Sequence, residues 1–278
     1  MRERSLKVLG PFGFRRLGYI EWGPRDGRAV VCAHGLTRQA HDFDALAATL
    51  APRRRVACPD MAGRGRSDWL PAAEHYAMPL YLSDCAALLA RLDVEEVDWV
   101  GTSMGGILGM LLAAQPNTPI RRLVLNDVGA LIPKAALERI GAYVGRAPDF
   151  AGPAEAEAYL RQVSAGFGAL SDEDWRAMTG HSLRPAENGR LAFHYDPKIG
   201  DAFRQGLTGD VDLWPVWDAV RCPVLVLRGE TSDLLTAETV EAMKGRGPAC
   251  EAVTIPSCGH APALMDEAQI RLVADWLG

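Results

Sequence analysis

Short apolar runs bounded by turn residues recur along the chain at 29–33, 55–58, 97–100, 122–125, 223–229 and 250–255. Runs of this length, without a polar residue at every second position, suit strands buried on both faces. Between them the apolar spacing turns helical. Residues 41–50 carry Phe43, Leu46, Ala47 and Leu50 on one face, and 79–92 carry Leu82, Cys85, Ala86 and Leu89. Further helical stretches follow at 105–114 and 266–277. Residues 14–22 alternate loosely and read as strands of a hairpin, closed by the turn cluster Gly23-Pro24-Arg25-Asp26-Gly27. Strand and helix alternating over short connections predict a parallel sheet with helices on both faces, an α/β fold.

The alternation breaks after Gly129. Residues 131–217 show no buried strand, only polar-rich helical patterns at 134–143, 154–164, 172–178 and 198–206. It resumes at Pro223. The pattern therefore predicts one core domain, residues 1–130 and 218–278, with a helical cap of residues 131–217 inserted in it.

Length and charge narrow the function. The chain of 278 residues can bury a large core, and its net charge of −5 with scattered arginines argues against a nucleic-acid surface. The brief run Arg53-Arg54-Arg55 is expected in a solvated loop. No apolar stretch approaches the roughly 20 residues that span a bilayer, and the charged N-terminus shows no secretory pattern. The six cysteines form no C-x-x-C pair and read as small core residues. These features predict a cytoplasmic protein without membrane or nucleic-acid partners, a monomer or a small homo-oligomer.

Candidate chemistry centres on Gly101-Thr102-Ser103-Met104-Gly105-Gly106, between an apolar strand and a helix. Gly-x-Ser-x-Gly in that setting is a nucleophile elbow: a sharp turn lifts the serine hydroxyl above the sheet, and its neighbours two residues away must be small. Ser103 needs a base, because a free hydroxyl is barely ionised at neutral pH. Of the six histidines, His260 follows a late strand, on the edge where parallel strands collect their C-terminal loops. A carboxylate must orient the imidazole. Asp233, beyond the strand at 223–229, is the expected acid, and Asp127, at the end of the strand at 122–125, is its competitor. The amides of Leu36 and Met104 are the candidate oxyanion donors. His34 is expected to hold the Leu36 loop and Asp60 to brace the glycine-rich loop 61–69. No histidine pair has metal-ligand spacing, so no metal is expected.

Five pieces together resemble the α/β-hydrolase superfamily: His34-Gly35 after a strand, Asp60-x-x-Gly63-x-Gly65-x-Ser67, the elbow, Gly229-Glu230-x-x-Asp233, and Gly259-His260. The resemblance implies an eight-stranded, mostly parallel sheet with a helical cap after the sixth strand, and a triad in the order Ser103, Asp233, His260. It implies a cofactor-free serine hydrolase of carboxylic esters acting through an acyl-enzyme. C–C hydrolysis of vinylogous diketones, lactone opening and a non-catalytic receptor are the alternatives. The substrate is expected to be a small-molecule acyl or aryl ester, held by aromatics that include Phe167, Trp175 and Trp214.

Overall fold

A computed structural model describes residues 1–146, 148–204 and 208–278. Its centre is an eight-stranded sheet. In chain order the strands are β1 (Arg2–Gly10), β2 (Gly13–Trp22), β3 (Arg28–Ala33), β4 (Arg54–Pro59), β5 (Val97–Thr102), β6 (Ile120–Asn126), β7 (Val224–Gly229) and β8 (Cys250–Ile255). Their spatial order is β1-β2-β4-β3-β5-β6-β7-β8. The β1–β2 hairpin and the β2–β4 pair are antiparallel; β3 to β8 and β4 run parallel.

The apolar runs serve two cores because a strand turns successive side chains to opposite faces. Cys32, Val100, Val124 and Leu225 form one row across the register, and all face the core covered by α1 (Asp44–Leu50) and the C-terminal helix Glu267–Leu277. Val31, Trp99, Leu123 and Val224 form the next row and face α2 (Met78–Leu92) and α3 (Met104–Ala113). Burying each such side chain contributes about 1.5–3 kcal/mol.

Two expectations change here. The arginine run divides: Arg53 lies in an exposed turn as expected, but Arg54 and Arg55 are buried at the start of β4. Arg54 donates to Asp98 (3.0 Å) and the Leu277 carbonyl, and Arg55 to Glu21 (3.1 Å) and the Leu92 carbonyl. Ion pairing and the free carbonyls at helix C-termini permit the burial. The buried face of α2 is Tyr81, Asp84, Cys85, Leu88 and Leu92, rotated by about a residue from the apolar stripe. Polar partners pull it round: Asp84 pairs with Arg15, and Tyr81 accepts from Arg64 at 2.7 Å.

The segment between β6 and β7 lies outside the large sheet. It contains α4 (Lys134–Gly141), α5 (Pro153–Val163), α6 (Asp172–Ser182) and a small sheet of Asp149–Phe150, Leu191–Phe193 and Leu183–Pro185. The sequence showed no buried strand in this segment; these strands are two or three residues long and mostly only partly buried. The expected helix at 198–206 is two short turns, Pro197–Gly200 and Asp201–Arg204, and positions 205 and 206 lie outside the described residues. The boundary at 217/218 falls inside the helix Trp214–Ala219, whose Trp217 is fully buried in the main core. No helix among the described residues is long and apolar enough to cross a membrane.

Candidate active site

Ser103 stands between β5 and α3 with φ 52° and ψ −116°. A side chain pays for a left-handed φ with strain, and such residues cluster at functional sites. The turn is closed so tightly that a Cβ on Gly101 would lie 2.3 Å from the Gly105 carbonyl oxygen. One on Gly105 would lie 2.0 Å from the Ala33 carbonyl oxygen. Both obstacles are backbone, so glycine at these two positions is a geometric necessity.

The elbow brings the Ser103 hydroxyl to 2.9 Å from His260 Nε2. On the other side of the ring, His260 Nδ1 lies 2.7 Å from Asp127 Oδ2. This corrects the choice of acid, because Asp233 does not meet His260. Asp233 turns outward, half exposed, and binds Arg139 of α4 at 2.7 Å. That guanidinium holds the Asp233 carboxyl below its ordinary range. Asp127 is fully buried at the end of β6, with φ 56°. Its Oδ1 accepts from the Gly229 amide (2.7 Å) and its Oδ2 from the Ser232 hydroxyl (2.6 Å), so the end of β7 clamps the carboxylate. Asn126, beside it, donates to Thr102 Oγ1 (3.0 Å) and to the Pro262 carbonyl (2.8 Å), tying β5, β6 and the His260 loop together.

The Leu36 loop is anchored from behind. The Met61 amide donates to His34 Nε2 (2.9 Å), which assigns the ring proton to Nδ1 and makes it the donor to the Gly35 carbonyl (2.7 Å). Burial holds the His34 pKa down to about 4, so the ring is neutral. The Arg38 amide donates to the same carbonyl (3.2 Å), and buried Arg64 donates to the Leu36 carbonyl (2.8 Å). A trans peptide turns its N–H away from its carbonyl, so anchoring Gly35 C=O sets the direction of Leu36 N–H. Met104 opens α3, where the first amides have no helical acceptor. Asp60 accepts the amides of Ala40 (2.8 Å) and Arg66 (3.0 Å), and burial raises its pKa.

A cavity with about 900 Å³ of empty space, part of it open to solvent, lies over Ser103 and His260. The core supplies Gly35, Leu36 and Arg38; the segment between β6 and β7 supplies Tyr143, Tyr159, Phe167 and Phe193. Of the three aromatics singled out in the sequence, only Phe167 lines it. Trp175 stacks on Phe167 at a ring distance of 6.5 Å and packs with Leu160 and Met178. Trp214 lies on the main core beneath Arg246. His194 also lines the cavity. The Gly166 and Phe167 carbonyls also accept the amides of Gly259 (2.8 Å) and Ala263 (3.2 Å), so this segment braces the His260 loop directly.

Among the described residues, one set of side chains has donor atoms close enough to share an ion. His41, Asp44 and His181 keep these atoms within 4.8 Å of one another, and the two imidazoles stack at 3.9 Å. Spacing along the chain could not show this, because the residues come from α1, its entry turn and α6.

The sequence pattern of the alpha/beta hydrolase family matches residues 30–276. The chain belongs to that family and is a hydrolase. It is 46% identical over 276 residues to a 3-hydroxybutyrate-oligomer hydrolase from Cupriavidus necator, which covers 96% of this chain and 94% of that protein. An alpha/beta hydrolase structure from Novosphingobium aromaticivorans superposes with a TM-score of 0.89 at 40% identity, covering 99% of this chain and 97% of that one. A structure from Rickettsia typhi gives a TM-score of 0.94 at 34% identity, covering 100% and 99%.

Proposed function

We propose that this protein hydrolyses carboxylic esters through an acyl-enzyme on Ser103. The observation that carries the reading is the continuous hydrogen-bond chain Ser103–His260–Asp127, with 2.9 Å and 2.7 Å links. His260 Nε2 takes the Ser103 proton as Oγ attacks the acyl carbon. Asp127 keeps the other ring proton on Nδ1 and stabilises the imidazolium. The Leu36 and Met104 amides hold the oxyanion, each worth about 2.7–4 kcal/mol to the transition state. The alcohol departs with the proton from His260. Water then attacks the acyl-enzyme with His260 again as base, and Ser103 is released. The residues between β6 and β7 act as the cap that walls the acyl pocket with Tyr143, Tyr159 and Phe193.

For the substrate, the 46% identity to a 3-hydroxybutyrate-oligomer hydrolase supports short oligomers of a hydroxy acid. Their units are joined by esters, hydroxyl to carboxyl, so the chemistry and the relative agree. Purified protein is expected to release monomer from 3-hydroxybutyrate dimer and trimer and p-nitrophenol from p-nitrophenyl butyrate, with Ser103→Ala inactive on both. Turnover of a vinylogous diketone but of neither ester class would overturn the reading.

A further inference from the structure

We propose that the cavity contains a carboxylate subsite built on Arg38, which receives the anionic end of the substrate. The inference deepens the ester reading and takes the substrate's identity from it. Its own support is the charge and geometry of the cavity wall. Among the described lining residues Arg38 is the one permanent cation, and none is an Asp or Glu. It also stands close to the nucleophile. A Cβ placed on Gly35 would be 3.7 Å from Ser103 Cβ and 3.9 Å from Arg38 Cγ, so a single glycine separates the two side chains.

Arg38 is held in a fixed pose. Its Nε and Nη2 donate to the two oxygens of Asp42 (2.8 and 2.6 Å), and its Nη1 donates to Ser182 Oγ (3.1 Å). The guanidinium carbon sits 5.9 Å from the centre of the Phe167 ring. A guanidinium has five N–H donors, and these contacts use three. Asp42 thus spares Arg38 an unpaired buried charge while the cavity is empty, and the unused N–H groups remain for an incoming anion. Beside it, Gln39 is 5% exposed and its Nε2 has no hydrogen-bond partner among the described residues. A buried amide without an acceptor costs free energy that a ligand oxygen would return. Gln39 lines the same cavity, as does Thr37.

The chemistry matches an ester whose leaving group is a hydroxy acid. In a 3-hydroxybutyrate oligomer the terminal carboxylate carbon is three bonds from the ester oxygen being cleaved. That short reach fits an arginine whose side-chain stem is separated from Ser103 by one glycine. An oriented guanidinium favours a carboxylate over a neutral ester group of similar shape. A charge-assisted hydrogen bond corresponds to about a tenfold to hundredfold preference.

Binding tests this without turnover. In the Ser103→Ala background, calorimetry compares 3-hydroxybutyrate dimer with its methyl ester. The free acid is expected to bind at least tenfold more tightly, and added salt should narrow the gap. Adding Arg38→Met should bring the two affinities together, while Arg38→Lys should retain part of the preference. Equal affinities with Arg38 present, a preference that survives Arg38→Met, or no binding of either ligand at millimolar concentration would overturn the subsite. The ester reading fails by a different result, the absence of ester turnover by the unsubstituted protein.

Discussion

Replacing Asp127 by asparagine isolates the acid from its competitor. The carboxylate accepts from Gly229 N–H through Oδ1 and from Ser232 O–H and His260 Nδ1 through Oδ2. An asparagine must put its NH2 group at one of those ends. Facing Gly229, it would set donor against a backbone donor that cannot turn, a buried loss of about 1–3 kcal/mol. Facing Ser232 and His260, it meets a hydroxyl that can rotate and a ring that can change tautomer. The second arrangement is therefore favoured, and it moves the ring proton to Nε2, where the base must be empty. The tautomer error and the lost charge partner together lower kcat by about 10⁴, or about 5.4 kcal/mol at 1.36 kcal/mol per decade.

Asp233→Asn is the matched control. It removes one side of an ion pair whose partners are 44% and 48% exposed. Such a pair is worth about 0–1 kcal/mol, so the rate should change by less than about fivefold. Initial rates of p-nitrophenyl butyrate hydrolysis, with near-ultraviolet circular dichroism to confirm folding, make the comparison. The assignment is refuted if Asp127→Asn keeps more than about a hundredth of the activity, on the 10⁴ scale above, while Asp233→Asn loses more.

Gly105→Ala should destabilise the protein by about 3 kcal/mol or more in urea unfolding, because the new methyl would meet the Ala33 carbonyl at 2.0 Å. His34 refuses a proton until about pH 4 in the folded chain, whereas its unfolded pKa is about 6.5. Stability present above pH 6.5 should therefore be lost as the pH falls to about 4, amounting to about 3 kcal/mol, and the urea midpoint of His34→Gln should fall less over that window. Asp98→Asn should cost about 3–5 kcal/mol in the same assay, since it leaves Arg54 (3.0 Å) and Arg121 (2.6 Å) without their shared carboxylate.

The order of strands and helices was legible because a two-faced parallel sheet writes itself as unbroken apolar runs. The elbow was legible because Gly101 and Gly105 leave no steric alternative. Arg54 and Arg55 were misread because charge alone suggests solvent. Only the fold reveals that Glu21 waits on the adjacent β2 and Asp98 two strands away on β5. The face of α2 was displaced because Tyr81 and Asp84 are buried for their polar partners, which an apolar periodicity does not count. Trp175 and Trp214 were chosen as large aromatics in or beside the inserted segment, but size says nothing about direction. Trp175 backs the cavity wall, and Trp214 serves the main core.

The position of the acid has a reason in the sheet order. β6 lies directly between β5, which carries Ser103, and β7. A carboxylate at the end of β6 is thus one strand from the nucleophile, and the amide and hydroxyl at the end of β7 can clamp it. From sequence, Asp127 and Asp233 both follow strands ending on the same edge, and the difference lies in a backbone turn. Asp127, with φ 56°, folds its carboxylate back over the sheet toward His260. Once it does, the loop after β7 is released from supplying an acid, and its residues divide the work. Ser232 holds Asp127 (2.6 Å), while Asp233 reaches out to Arg139 on α4 (2.7 Å). The same loop therefore joins the site to the inserted segment. Cutting the Arg139–Asp233 link should disturb how that segment sits over the cavity, and so KM, more than it disturbs the proton transfer that sets kcat.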